Sequence, residues 1–415
     1  MPLLPATDLF PKGAETLRDW SGLDQGSLAV VLAELARRDD GLLLVLTADT
    51  SSAQQLEESL GFYLHDSDIP LLHFPDWETL PYDLFSPHQD IVSSRIEVLH
   101  RLPRCQRGVL VTPINTLMQR LAPPAHLQGN TFLLSVGDRF AMERTREQLV
   151  ACGYRQRDNV LEHGEFAVRG AIIDIFPMGA EQPFRIELFD DEIESLRLFD
   201  AETQRSTGQV PSITLLPAAE FPLSAEGISR FRNAFRERFD VDHRQCSLYQ
   251  DISEGIASPG IEYYLPLFFD QLATLFDYLP HHTRLVQLPG TDDAARHYWQ
   301  EIEQRHESRR HDIRRPLVPP ADVFVHPDPL LGSMKDWPRA RLVEEGGIRF
   351  PFTALAPLDS QPANPFDALR PALPDPAPRI LVCAETAGRR EALLALMQKA
   401  GLQPTLVSGW RDFLA

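Results

Sequence analysis

Residues 184–199 read FRIELFDDEIESLRLF, and the organisation of the chain is decided on them. Phe184, Ile186 and Leu188 share one side of a period-two strand, which leaves Arg185, Glu187 and Phe189 together on the other. If Asp190-Asp191-Glu192 is the turn, a return strand that buries Leu196 and Leu198 carries Arg197 to the same outer side as Arg185 and Phe189. A core does not need that second set of residues. An aromatic ring flanked by arginines is the composition of a protein-binding hot spot rather than of an active site. A plainer reading of the same face stays open, a cross-strand ion pair beside a partly covered ring.

The hairpin lies in a region, residues 129–217, of short hairpin-linked strands with one helix over 141–152, which predicts an α+β insertion. Within it, residues 167–176 read as a single strand that begins near Arg169, with a facing that the apolar run Ala171-Ile172-Ile173 leaves ambiguous. Before the insertion the pattern is different. Residues 28–37 have helical spacing, 41–47 (GLLLVLT) form a continuous apolar run, 51–60 read as a helix capped by Ser51 or Ser52, and 70–74 as a strand. A helix over 91–102 and a strand over 108–112 follow, and this alternation predicts a parallel sheet. After the insertion, helical pattern returns at 224–239, 284–288 offers one more strand, and a charged helix covers 292–310. Proline-rich segments at 316–320 and 360–378 read as connectors, and 380–384, 388–400 and 405–407 as a β-α-β unit that the chain leaves unfinished, as a piece of something longer would.

A chain of 415 residues with 43% apolar content exceeds one core, so about two to four domains are expected. No apolar run is long enough to span a bilayer and the start lacks a signal-peptide pattern, so the expected location is cytoplasmic, with no membrane partner. The four cysteines have no CxxC spacing and read as buried thiols. A formal charge of −19 opposes general affinity for a phosphate backbone while leaving a local patch possible.

Catalytic signatures are missing. No Gly-Lys pair exists, and the slot where a phosphate loop would open the first helix reads Asp24-Gln25-Gly26-Ser27-Leu28. Leu188-Phe189-Asp190-Asp191-Glu192 imitates an acidic metal-holding strand end, but without such a loop a surface turn is the better reading. Asp76, Glu78, Asp83, His88 and Asp90 cluster with aromatics, which fits a packed loop with solvated acids better than a carboxylate pair for glycoside chemistry. His281-His282 has no third ligand spaced to complete a metal site. The residues therefore offer no catalytic, metal or cofactor site.

DWETLPYDLFSPHQDIVSSR (76–95), GVLVTPINTLMQR (108–120), EHGEFAVRGAIIDIFPMG (162–179), FRIELFDDEIESLRLFDAETQRS (184–206) and LLPAAEFP (215–222) resemble the N-terminal region of the bacterial transcription-repair coupling factors, the Mfd family, in wording and in order. The resemblance covers essentially the whole chain. It implies a module homologous to the repair protein UvrB: a degenerate helicase-like α/β domain of parallel sheet (1–128 and 218–340), interrupted by a small α+β UvrA-binding domain (129–217), then a proline-rich linker (341–378) and a partial third α/β domain (379–415). Arg169, Arg185 and Phe189 fall on motif positions where the family contacts UvrA, with Glu187 and Arg197 on neighbouring positions. UvrB carries an ATP loop that this chain lacks, so the implied role is recruitment of UvrA without nucleotide hydrolysis, a nucleotide-dependent UvrB-like helicase half on damaged DNA being the alternative. UvrB also threads a tyrosine-rich hairpin through DNA, whereas residues 76–90 offer only Trp77, Tyr82 and Phe85. The family's RNA polymerase-binding domain and its ATP- and magnesium-dependent DNA translocase lie beyond residue 415, and its C-terminal part folds back to mask the UvrA face.

Overall fold

In the computed structural model, which describes residues 4–5, 8–12, 15–352, 366, 379–384 and 386–415, the run Gly41–Thr47 is a strand buried at every position. Such a strand needs cover on both faces. The chain supplies it by alternation: β1 (Leu17–Ser21), α1 (Gln25–Arg38), β2 (Gly41–Thr47), α2 (Thr50–Leu64), β3 (Leu71–His73), α3 (Gln89–Arg101) and β4 (Arg107–Pro113). Leu43 and Val45 share an apolar cluster with Leu32 of α1 and Leu56 of α2, whereas Leu42, Leu44 and Leu46 join a larger one with Ile96 and Leu99 of α3. The cap of α2 is Asp49, whose carboxylate accepts from the Ser52 amide at 2.7 Å, two to three residues before the expected serines.

The insertion contributes β5 (Phe132–Ser135), β6 (Arg155–Gln156), β7 (Glu165–Arg169), β8 (Ile172–Ile175), β9 (Phe184–Phe189), β10 (Glu192–Phe199), β11 (Ser206–Gln209) and β12 (Ser212–Leu215). Six of these form a sheet in the order β11-β10-β9-β8-β7-β6, and β5 with β12 makes a separate two-stranded ribbon. Residues 167–176 are not one strand. They are the β7–β8 hairpin, which turns at Gly170, where a φ of +62° suits a residue without a Cβ. The inner face of this sheet, with Phe166, Ile173, Ile175, Ile186, Leu188, Ile193 and Leu196, is buried in the same cluster as Leu42, Leu44 and Leu46. One core therefore runs from the parallel sheet into the insertion.

The chain then returns as β13 (Arg284–Gln287), β14 (Arg339–Leu342) and β15 (Ile348–Arg349), giving an all-parallel seven-stranded sheet in the order β15-β1-β14-β13-β2-β4-β3. Because β15 pairs with β1 and Phe350 is buried, the α/β unit continues past residue 340 into the stretch expected to be linker. Most of that stretch, 353–365 and 367–378, lies outside the described residues. In the last segment the helix Ala387–Lys399 forms, but residues 380–384 and 405–407 form no strand. No described strand lies beside them to take up their backbone groups, and Ile380, Val382 and Leu406 are exposed. Cys152 and Cys246 are buried as expected, whereas Cys105 is half-buried and Cys383 exposed. Among the described residues no helix is long and apolar enough to cross a membrane.

The acidic-aromatic loop after β3 is structural. Trp77 and Tyr82 are buried, and Asp76 accepts from Gln119 Nε2 at 2.7 Å, so burial raises its pKa and it is not a solvated acid. Arg95 of α3, fully buried, donates from Nε to Glu220 Oε1 at 2.6 Å and from Nη1 to the Pro75 carbonyl at 2.8 Å, with its guanidinium 4.5 Å from the Phe74 ring centroid. This ties the loop to the chain leaving the insertion. Glu262 sits beneath the same loop and accepts from Ser86 Oγ at 2.9 Å; burial pushes its pKa up to about 7. A carboxyl raised in the folded state holds its proton longer there than in the unfolded chain, so stability falls as pH rises from about 4.5 to about 7. Glu262→Gln should therefore melt higher than the parent at pH 8, by up to ~3 kcal/mol, with the advantage gone at pH 4; thermal melts at the two pH values measure it.

Candidate protein-docking face

With Ile186 and Leu188 held in the core, Arg185, Glu187 and Phe189 of β9 project from the opposite side of the sheet. Asp190, in the left-handed region at φ +55°, and Asp191 form the turn, and Glu192 already stands opposite Phe189 as the first residue of β10. A two-residue turn alone would continue the pairing with Leu196 outward. The register instead shifts between Ile193 and Ser195, leaving Glu194 as the extra residue. Ser195 then opposes Glu187, Leu196 opposes Ile186 and Arg197 opposes Arg185. The result is the expected phase reached by a different route: Leu196 is buried and Arg197 is on the outer side. Leu198 is only half-buried, and Phe199, with no exposed surface, closes the far end of the outer face in a small cluster with Val160, Ala167 and Phe176.

One residue that sequence reasoning missed organises this face. Asp174 of β8, 1% exposed, lies directly opposite Arg185, which donates to it from Nε at 2.7 Å and Nη2 at 2.9 Å. The guanidinium also rests 5.1 Å from the Phe199 ring centroid. Asp174 holds the Arg185 pKa above its ordinary value. Arg169, at the end of β7, comes within 4.0 Å of the same carboxylate and donates to Asn159 Oδ1 and the Asp158 carbonyl. Arg197 Nη2 meets Glu187 Oε2 at 3.3 Å, and Ser195 Oγ donates to that oxygen at 2.5 Å.

All five expected residues thus share one face, but they are presented differently. Phe189 is 69% exposed. The side chains of Arg169 and Arg197 are 48% and 39% exposed, whereas that of Arg185 is 18% exposed. The hot-spot reading fits the ring and Arg169; the ion-pair reading fits Arg185, held by Asp174, and the cross-strand pair of Arg197 with Glu187. A sequence signal for Asp174 existed, a lone acid inside the apolar run of residues 171–176, but reading 167–176 as one strand hid its pairing with β9.

The other candidates do not converge. Asp190 and Asp191 are exposed turn residues, and His281 and His282 are exposed. Among the described residues no group of three His, Cys, Asp or Glu could hold a metal ion. At the first helix, the Ser27 amide is bonded to Asp24 Oδ1 at 2.8 Å, and Ser27 Oγ returns a bond from the Asp24 amide at 2.9 Å. A carboxylate of the chain itself thus occupies the start of α1.

Residues 132–221 match the UvrB interaction domain family, and residues 375–415 match the MFD D3 domain family. A transcription-repair-coupling factor of Haemophilus influenzae is 44% identical over 388 residues, which is 91% of this chain and 34% of that protein. Those of Escherichia coli and Bacillus subtilis are 40% and 28% identical over 391 and 303 residues, covering 92% and 69% of this chain. The chain spans about a third of the length of the first two of these relatives, and about a quarter of the third.

The geometry separates two substitutions. Arg185→Ala strands the buried Asp174 carboxylate and should cost roughly 3 kcal/mol, whereas Phe189→Ala removes a ring that touches solvent and should stay within about 0.5 kcal/mol of the parent. Urea or thermal unfolding of the two variants gives the comparison.

Proposed function

This chain is a UvrB-like region of the transcription-repair-coupling factor family, and on that premise we propose that it recruits UvrA to stalled RNA polymerase in transcription-coupled excision repair. The observation that carries the proposal is the exposed Phe189 ring at the tip of a hairpin inside the matched UvrB interaction domain, with Arg169 and Arg197 on the same face. In this reading Phe189 is the desolvated anchor, Arg169 and Arg197 meet acids of the partner, Glu187 fixes the rotamer of Arg197, and Arg185 spans the face by holding Asp174. The domain boundaries belong to the same proposal, with UvrA docking assigned to the insertion and the parallel sheet serving as its base.

The remaining roles of the family are proposed for the whole protein, of which this chain spans about a third. They are engagement of RNA polymerase and double-stranded DNA, ATP- and magnesium-driven translocation, and masking of the UvrA face by the C-terminal part, all in the cytoplasm. For this chain itself no hydrolysis is proposed. A phosphate at the start of α1 would have to displace the Asp24 carboxylate from the Ser27 amide and bear its charge, and no Lys of a Gly-Lys pair is present to offset it.

Phe189→Ala should weaken binding of purified UvrA by ~2 kcal/mol or more, about thirty-fold, in a pull-down or interferometry assay with the melt unchanged; undiminished binding would falsify the docking assignment. A fluorescent ATP analogue titrated into the chain should give no saturable signal in the micromolar range, and saturation there would restore the helicase-half reading.

A further inference from the structure

We propose that Arg139 is a further UvrA-contacting residue, which makes the partner's complementary surface an apolar socket with carboxylates on both sides. The inference rests on the docking reading above. Residues 136–140 run beside the start of β10: the Gly137 amide donates to the Ile193 carbonyl at 2.9 Å, Ile193 to Asp138 at 2.9 Å and Phe140 to Asp191 at 2.7 Å. Arg139 forms an antiparallel bridge with Glu192, and Glu192 is paired with Phe189. Directly opposed residues of antiparallel partners project to the same side. Arg139, Glu192 and Phe189 therefore make a row across the tip of the docking face, although Arg139 lies some fifty residues earlier in the chain.

Pairing decides which charges are left for a partner. Asp174 is engaged by Arg185 and Glu187 by Arg197. Arg139 is exposed and makes no ion pair or side-chain hydrogen bond among the described residues. Arg169 and Arg197 are the other cations of the face with substantial exposure, Arg169 at 4.0 Å from a carboxylate that Arg185 already holds and Arg197 at 3.3 Å from Glu187. Arg139 and Arg169 each lie two strand spacings from β9, on opposite sides of it, so each is ~10 Å across the sheet from the line of Phe189. Glu192, exposed between Phe189 and Arg139, tempers the local field together with the exposed Asp138, Asp190, Asp191 and Glu194 of the same tip. In a chain with net charge −19, two cations bracketing an aromatic anchor would steer an acidic surface onto this face and away from the rest of the molecule.

The test is association kinetics of the 415-residue chain with purified UvrA over a series of salt concentrations, using Arg139→Glu, Glu192→Gln and Phe189→Ala. Arg139→Glu should slow association roughly ten-fold and flatten its salt dependence with an unchanged melt, while Glu192→Gln should speed association. A purely structural role for either side chain predicts neither change. If Phe189→Ala abolishes binding but both charge variants associate like the parent, Arg139 is excluded and the docking reading stands. If Phe189→Ala binds normally, the docking reading itself is wrong.

Discussion

Burial of one side of the inserted sheet is the constraint on which the proposed docking face depends. Ile173, Ile175, Ile186, Leu188, Ile193 and Leu196 are committed to a core that is continuous with β2 and α3, so the alternate residues have nowhere to go but out. A slip of one residue would exchange the two sets. The apolar set would then meet water and the ion pairs would be driven into the core, so the phase is held by the whole burial energy of the inner face. Glu194 is where this holding becomes visible. The tight Asp190-Asp191 turn gives a register that would expose Leu196, and the chain absorbs one extra residue to bring Leu196 back opposite Ile186.

The face was legible in the sequence because period two is a local property. Arg185, Glu187 and Phe189 alternate with Phe184, Ile186 and Leu188, and no distant information is needed to place them on one side. Turn length was less legible, but a three-residue turn and a two-residue turn plus bulge give the same pairing beyond Ser195, so the error cancelled. What the sequence hid was set by distant partners. Asp174 has meaning only once β8 is separated from β7 and laid beside β9, and Arg139 only once its loop is laid beside β10. In the parallel sheet, β2 and β4 are recognisable as apolar runs, whereas β1 (LRDWS) and β14 (RARL) are not. Their polar residues are satisfied across the pair, with Arg341 donating to Asp19 at 2.9 and 3.2 Å over a sequence separation of 322 residues.

The start of the first helix is filled by the chain's own side chains. In a phosphate-binding loop the amides at a helix start are left for the ligand. Here Asp24 and Ser27 satisfy one another reciprocally, which stabilises α1 while filling its N-terminus with negative charge. The parallel sheet thus carries a helix terminus adapted to capping. This accords with a role in which the parallel sheet supports another surface.

How rigidly it supports that surface follows from the contacts at the junction. The shared core is reinforced by Arg95 with Glu220, by His163, whose ring nitrogens meet Asp90 at 2.7 Å and the Ala180 carbonyl at 2.8 Å, and by the Gly179 amide donating to Ser93 Oγ at 2.8 Å. Asp90, Ser93 and Arg95 all belong to α3, so one helix of the parallel-sheet unit carries three separate attachments to the insertion and the segment that leaves it. Breaking the Arg95 pair alone would leave a charge without its partner in a buried site, which opposes hinge opening there. The hairpin tip is therefore presented from a fixed base. Preorganisation of this kind lowers the ordering cost of docking, so one exposed ring and a few bracketing charges can suffice for a specific contact.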